Sequence, residues 1–196
     1  MGKVISHMTM SLDGYIANAN DDPGELFEWY QAGDVAVEHA NKDLEPFHVD
    51  RASADVLEDL LEGAGALVAG RQLFDITNGW GDAHPTGAKV VVVTHEPPAD
   101  AAEKWPKTTF VTAVEDGVAK AKELAGDEDV SIASPTITQQ ALDLGLVDEV
   151  AVSLVPVLFG SGKTYFGELK HGHLMLEDPE VVQGRRALHL RFKVRR

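Results

Sequence analysis

The sequence predicts an α/β fold with a mostly parallel central sheet and an antiparallel C-terminal edge. Three observations carry this. The short apolar runs 66–69 and 90–93 read as buried strands of a parallel sheet, and 130–133 as another short strand. Helical apolar stripes alternate with them through the middle of the chain. At the end, Leu188, Leu190, Phe192 and Val194 alternate with His189, Arg191, Lys193 and Arg195, the pattern of a half-exposed antiparallel strand.

The elements follow in order. Residues 3–10 alternate, with Val4, Met8 and Met10 on one side and Ile5, His7 and Thr9 on the other, and Leu12-Asp13-Gly14 marks the turn after them. Residues 18–50 are polar and weakly periodic, a long excursion with a short helix expected over 35–44 and ended by Pro46. Its aromatic cluster Leu26, Phe27, Trp29 and Tyr30 either covers a pocket or anchors the excursion to the core. Ser53 is expected to cap a helix with the apolar stripe Val56, Leu57, Leu60, Leu61 and Ala64, ended by Gly63 or Gly65.

A strand over 66–69, a helix over 72–77 and the turn Gly79-Trp80-Gly81 come next, then strands over 90–93 and 109–112. Val118, Ala121, Leu124 and Ala125 stripe a helix closed by Gly126. After the strand 130–133, Ser134 stands as N-cap and Pro135 at the first helical position, and Gly145 closes that helix. Residues 150–157 form an apolar strand broken at Pro156 and followed by Gly160-Ser161-Gly162. The last strand is expected to pair with Leu174 to Leu176 or with Val181-Val182.

Bulk properties narrow the function. The 196 residues suit one domain spanning 1–196, and 44% hydrophobic with 25% charged residues is ordinary globular composition. No apolar stretch approaches the roughly 20 residues of a membrane helix, and none follows a basic N-terminus, so a cytoplasmic protein is expected. Zero cysteines excludes disulfides, thiolate catalysis and zinc–cysteine sites. A net charge of −15 repels nucleic acid and anionic lipid, leaving a small molecule as the expected partner. His171 and His173 read as a turn, and no metal site is expected.

The chemistry concentrates where strands meet helices. Gly70-Arg71-Gln72, Thr94-His95 and Ser134-Pro135-Thr136 all fall at the carboxyl ends of predicted parallel strands, where open sheets bind ligands. Helix N-termini there suit a pyrophosphate, and Arg71 with His95 suits a ribose phosphate. An arginine favours the phosphorylated dinucleotide, because its fork pairs with phosphate oxygens.

Five motifs now stand in order: Met10-Ser-Leu-Asp-Gly-Tyr-Ile-Ala17, Val68-Ala-Gly-Arg71, Val93-Thr-His95, Ala141-Leu-Asp-Leu-Gly-Leu-Val-Asp-Glu149 and Pro156-Val-Leu-Phe-Gly-Ser-Gly162. From about Lys3 to Val194 the chain resembles the dihydrofolate reductase-like family, in particular the C-terminal reductase domain of the riboflavin-biosynthesis deaminase-reductase. That resemblance implies a three-layer fold, NADPH as cofactor, hydride transfer to a small substrate and a homodimer. It places Gly70, Arg71 and Gln72 at the cofactor's phosphates, Leu73 among the cofactor-binding residues, and Thr94 and His95 near the adenosine ribose. Ser134, Thr136 and Ile137 fall at the pyrophosphate, and the loop from Asp13 through Tyr15, Ile16 and Ala17 along the nicotinamide. Trp29, Tyr30, Phe74 and Trp80 are the expected substrate pocket.

One departure stands out. The family places a glycine pair where this chain has Ser134-Pro135; proline offers no N–H, and the serine hydroxyl is expected to cap the helix amides that would hold phosphate. The alternative reading is therefore an altered member with weakened dinucleotide binding. Asp13 and Tyr15 are the candidate acids, although Asp13 reads first as a turn-former, since Asp-Gly is a strong turn pair. Asp55, Glu58, Asp59 and Glu62 read as a solvated helix face, which argues against a folate reductase in the strict sense.

Overall fold

The computed structural model describes residues 2–195, apart from the side chains of Leu61 and Glu62. The first strand, β1 (Val4–Ser11), leads through a turn to the short β2 (Tyr15–Ala17). A 3-10 helix over Gly24–Gln31 and two small strands, β3 (Val35–Val37) and β4 (Phe47–Val49), fill the excursion before α1 (Arg51–Glu62). Then come β5 (Ala64–Gly70), α2 (Arg71–Ile76), β6 (Lys89–Val93), α3 (Ala101–Lys104), β7 (Thr109–Val111), α4 (Val114–Ala125), β8 (Asp129–Ile132), α5 (Pro135–Asp143) and β9 (Glu149–Val155). The chain closes with β10 (Lys163–Thr164), β11 (Glu180–Gln183) and β12 (Leu188–Lys193).

Eight strands form the main sheet in the order β11-β12-β9-β1-β8-β5-β6-β7. The six from β9 to β7 run parallel, and β12 and β11 add an antiparallel edge. The C-terminal strand takes both expected partners: Val181 and Val182 oppose Leu190 and His189, and Leu176 bridges to Val194. Helices cover both faces. On one, α4 and α5 set Val118, Ala121, Ile137 and Ala141 against Val4, Val68, Val91, Val130 and Ile132. On the other, Ala54 and Leu57 of α1 pack with Val155, and Leu73 and Phe74 of α2 meet Leu67, Ala69, Val90 and Val92. This is the three-layer, mostly parallel architecture expected.

Several local expectations are corrected. Residues 35–44 are not a helix: Val35, Ala36 and Val37 pair antiparallel with Val49, His48 and Phe47. Val37 and Val49 are buried while Ala36 is exposed, so a period of two, too short to read in a polar stretch, decides the element. The cap of α1 is Asp50, whose carboxylate accepts the N–H groups of Ala52 and Ser53; Ser53 lies inside the first turn. Ala64 opens β5 instead of closing the α1 stripe, and Leu61 of that stripe lies outside the described side chains. The strand expected over 150–157 ends at Val155, before Pro156.

Between α2 and β6 the backbone does something rare. Asn78, Gly79, Trp80, Gly81 and Asp82 have φ of 49°, 56°, 51°, 61° and 63°, one left-handed turn. Left-handed geometry costs roughly 1–2 kcal/mol at each non-glycine residue. Tertiary bonds hold it: Asp82 accepts the Lys107 N–H at 3.0 Å and the Thr108 hydroxyl at 3.0 Å, and Trp105 Nε1–H donates to the Asn78 carbonyl at 3.1 Å. At Gly79 a Cβ would stand 2.5 Å from Trp105 and 2.6 Å from Phe74, so only glycine fits.

Candidate active site

The connections leaving β5 and β8 run in opposite directions. From β5 the chain moves through α2 to β6, away from β1; from β8 it moves through α5 to β9, beyond β1. Parallel crossovers share one hand, so opposite directions put α2 and α5 on opposite faces, as the core clusters show. The carboxyl ends of β5 and β8 therefore flank a topological switch point, the crevice where open α/β sheets bind ligands.

At that crevice Ser134 is N-cap of α5 but gives the helix no side-chain hydrogen bond. Its hydroxyl instead accepts the Gly70 N–H at 2.8 Å, joining the two strand ends. This corrects the expected role of the serine. Pro135 has no N–H, so Thr136 and Ile137 supply the α5 first-turn amides, left without a side-chain cap. A Cβ at Gly70 would fit in ordinary contact with Ser134 and Ile137, no closer than 3.5 Å.

Across the crevice, Arg71 begins α2. Its Nε–H donates to Asp75 at 2.7 Å and Nη1 to the Glu96 carbonyl at 2.7 Å, which holds the guanidinium beside the end of β6. Thr94 donates its hydroxyl to the same carbonyl at 3.0 Å, and His95 is exposed next to it. Glu96, awkward for a phosphate by its sign, thus contributes a carbonyl that positions Arg71. Gln72 is tied elsewhere: its amide donates to Asp21 at 2.6 Å, and Asp21 also pairs with Lys163. Leu73 faces inward with Ala69 and Trp80.

The β1 loop closes the same edge. β2 pairs with β10, and the Asp13 carboxylate accepts the Ser11 hydroxyl at 2.6 Å and the N–H groups of Gly160 at 2.7 Å and Phe159 at 3.2 Å. The Ser11 bond, with those two amides, holds the carboxyl below the usual carboxylate range. A carboxylate so clamped stays ionised, which suits a turn-former and not a proton donor. Tyr15, half-buried as a residue, donates its N–H to Ser11 Oγ at 2.9 Å, and its hydroxyl has no partner among the described residues. Ile16 packs on the core beside β1, and Ala17 is buried.

The expected aromatic pocket is not one pocket. Trp29 is 1% exposed, stacked on Tyr30 with centroids 4.2 Å apart and edge-on to His189. Tyr30 stacks in turn on Phe47 of β4. These residues anchor the excursion in the core formed with Leu26, Val49 and Leu57. Phe74 is fully buried against Trp105 and Phe110, and Trp80 lies beside it on the left-handed turn. Two pairs in two separate clusters result. Their size and polarity read the same in sequence whether they line a cavity or fill a core.

Sequence reasoning missed the residues of a second concavity. A cleft of about 320 Å³ runs along α1, between that helix and β1, β9, β12 and β11, lined by His7, Val56, Leu60, Ala151, Ser153 and His189 among others. A hydrogen-bonded chain stands in its wall. His7 Nε2 lies 3.1 Å from Ser153 Oγ, Ser153 Oγ 3.0 Å from His189 Nδ1, and His189 Nε2 3.0 Å from Ser53 Oγ. Ser53 then donates to Asp50 at 2.8 Å. Burial, with help from His189 and Arg191, pushes His7 down to about 4, and burial lowers His189 too, against the pull of Asp50. Asp55 and Asp59, expected on a solvated face, are exposed and form the rim of this cleft. Four residues at positions 7, 53, 153 and 189 share no local spacing, so no sequence motif announced them.

A mostly parallel eight-stranded sheet with a β5/β8 switch-point crevice and an antiparallel C-terminal edge defines the dihydrofolate reductase-like class of α/β proteins. Within it, the chain belongs to the RibD C-terminal domain family, whose model matches residues 2–190. Solved structures agree on the fold. A protein of Shewanella sp. PV-4, described as a candidate riboflavin biosynthesis protein, is 24% identical with a TM-score of 0.68, covering 99% of both chains. RibD of Acinetobacter baumannii, 18% identical with a TM-score of 0.63, covers all of this chain, which spans 59% of that protein. Dihydrofolate reductase of Enterococcus faecalis, complexed with NADP(H) and RAB-propyl, is 16% identical with a TM-score of 0.60 over 100% and 98% of the two chains. No curated protein matches the chain. Among the described residues no helix is long and apolar enough to cross a membrane, and no cluster of three or more metal-ligating side chains occurs.

Proposed function

We propose that this protein is an NADPH-dependent reductase of a small carbonyl- or imine-bearing substrate. The observation that carries the reading is the switch-point crevice, where the α5 amides of Thr136 and Ile137 lack a side-chain cap and Arg71 opens α2 at the end of the neighbouring β5. Uncapped first-turn amides and an arginine fork are what a dinucleotide's phosphates need. Family membership and the NADP(H)-bound relative support the choice of cofactor.

On this reading Thr136 and Ile137 hold the pyrophosphate, and Arg71, Thr94 and His95 take the ribose phosphate. Gln72 and Leu73 shape the α2 side, and the loop from Asp13 to Ala17, with Tyr15 and Ile16, covers the nicotinamide end. NADPH supplies the hydride; the chain orients the reacting carbons and keeps water out. Asp13 holds the loop to Phe159 and Gly160.

One observation favours a second reading. Ser134 Oγ takes the Gly70 N–H, a donor that an open crevice would offer to phosphate. An altered ligand-binding member with weakened dinucleotide affinity fits that bond. A thermal-shift series with NADPH, NADH and flavin mononucleotide separates the two. Stabilisation by NADPH supports the reductase; no response to either nicotinamide cofactor sinks it.

A further inference from the structure

Arg71 is only partly available to a ligand. Its Nε–H donates to both Asp75 oxygens, at 2.7 and 2.9 Å, and Nη1 donates to the Glu96 carbonyl at 2.7 Å. Three of its five N–H groups remain open. The charge around it is less favourable than the geometry. Asp75 already offsets the guanidinium in an exposed i,i+4 pair. The stretches 90–103 and 108–119, around the end of β6 and the start of α4, contain no lysine or arginine. They do contain Glu96 and, in the first turn of α4, Glu115 and Asp116. That turn lies against the end of β6, since a Cβ on Gly117 would stand 2.8 Å from Val93.

Glu96 differs from the other carboxylates. Its main chain is pinned: the carbonyl takes Arg71 Nη1 and the Thr94 hydroxyl, and its N–H donates to Thr94 Oγ1 at 3.3 Å. Its side chain is exposed, with no hydrogen bond or ion pair among the described residues. The fold thus fixes the Glu96 backbone beside the guanidinium and gives the carboxylate no structural task. Only a few bonds separate it from that carbonyl, so it lies within about one Debye length of Arg71 at physiological salt. A phosphate monoester carries about −1.5 to −2 at pH 7, whereas a ribose 2′-hydroxyl is uncharged. With the ribose at Arg71, the 2′-phosphate is repelled by Glu96. The 2′-hydroxyl is not, and carboxylates accept such hydroxyls in other dinucleotide sites.

We propose that Glu96 is a specificity-determining residue of the cofactor site, whose carboxylate holds down affinity for the 2′-phosphorylated dinucleotide and does not oppose the unphosphorylated one. The proposal rests on the reductase reading for the placement of the ribose at Arg71. Asp75 is the poorer probe, because it holds the guanidinium in place and a change there moves the arginine as well as the charge.

Titration calorimetry of NADPH and NADH on the full chain tests it. Glu96→Gln is expected to raise NADPH affinity at least threefold and to leave NADH no tighter than before. Glu96→Asp keeps the charge and is expected within twofold of the parent for both. The gain in Glu96→Gln should shrink in 1 M salt, where the Debye length falls to about 3 Å; a rearranged loop would keep its effect there. Both variants should melt with the parent. Unchanged NADPH affinity in Glu96→Gln, an equal rise for NADH, or a gain that persists in 1 M salt overturns the proposal and leaves the reductase reading in place. No binding of either dinucleotide to the parent protein overturns both.

Discussion

The Ser134 hydroxyl accepts the Gly70 N–H at 2.8 Å across the boundary between β8 and β5. One bond thus bridges the two strand ends that flank the switch point and turns the serine away from its own helix.

That bond predicts a gain on removal. Ser134→Gly with Pro135→Gly frees the Gly70 N–H and restores an amide at position 135. One recovered charge-assisted hydrogen bond is worth about 1.5–3 kcal/mol, so NADPH affinity should rise about tenfold or more. Titration calorimetry reads it; unchanged affinity refutes this account of the crevice.

Arg71→Ala separates binding from stability. The Arg71–Asp75 pair is an exposed i,i+4 contact, a class worth under about 1 kcal/mol, so the melting temperature should hardly move. NADPH affinity should fall about tenfold or more, with the preference over NADH reduced. Equal loss of both cofactors would assign Arg71 to the pyrophosphate.

Trp29→Ala should cost about 3–5 kcal/mol, the range for emptying a large buried site. Phe27→Ala, two residues away and 48% exposed, should stay within about 0.5 kcal/mol. Denaturant unfolding checks both. A mild Trp29→Ala would mean that the side chain lines an open pocket after all.

Gly79→Ala combines a positive φ with a Cβ against Trp105 and Phe74, and should destabilise by well over the roughly 1 kcal/mol of a strained turn alone. Gly81→Ala, with open space around its Cβ, meets only the φ penalty. A smaller effect at Gly79 than at Gly81 would contradict the packing described.

Acid should destabilise the fold in two stages. His7 and His84 are pushed down to about 4 by burial, so the unfolded chain binds more protons than the folded one between about pH 6.5 and 4. Their contribution is full above pH 6.5 and is lost as pH falls through that window. Asp13, held low by Ser11, adds stability that persists until pH falls through its folded pKa. Melting curves from pH 8 to 3 should show His84→Gln flattening the first stage and Asp13→Asn the second.

The long strands and helices were legible because period and length agree over many residues: β1, β5, β6 and β12 all stand where alternation or apolar runs put them. Three-residue strands such as β3 are too short for a period to register against polar neighbours. The cap of α1 was misplaced because Asp50 and Ser53 are both good caps three residues apart; Asp50 wins, and Ser53 turns inward to His189. Ser134 failed for a related reason. Its competing donor, Gly70, is 64 residues away and becomes visible only when β5 and β8 are adjacent. The switch-point motifs were readable because each is local, whereas the His7–Asp50 relay is assembled entirely by the sheet.

The burial of Trp29 bears on how this chain can drift. A surface excursion ordinarily tolerates insertions and deletions along its length. Here the 3-10 helix supplies Leu26 and Trp29 to the same core as α1, and β3 and β4 supply Val37 and Val49. Length changes are therefore confined to the exposed tip around residues 42–45, and a donor scaffold could accept new sequence there without unmaking the fold.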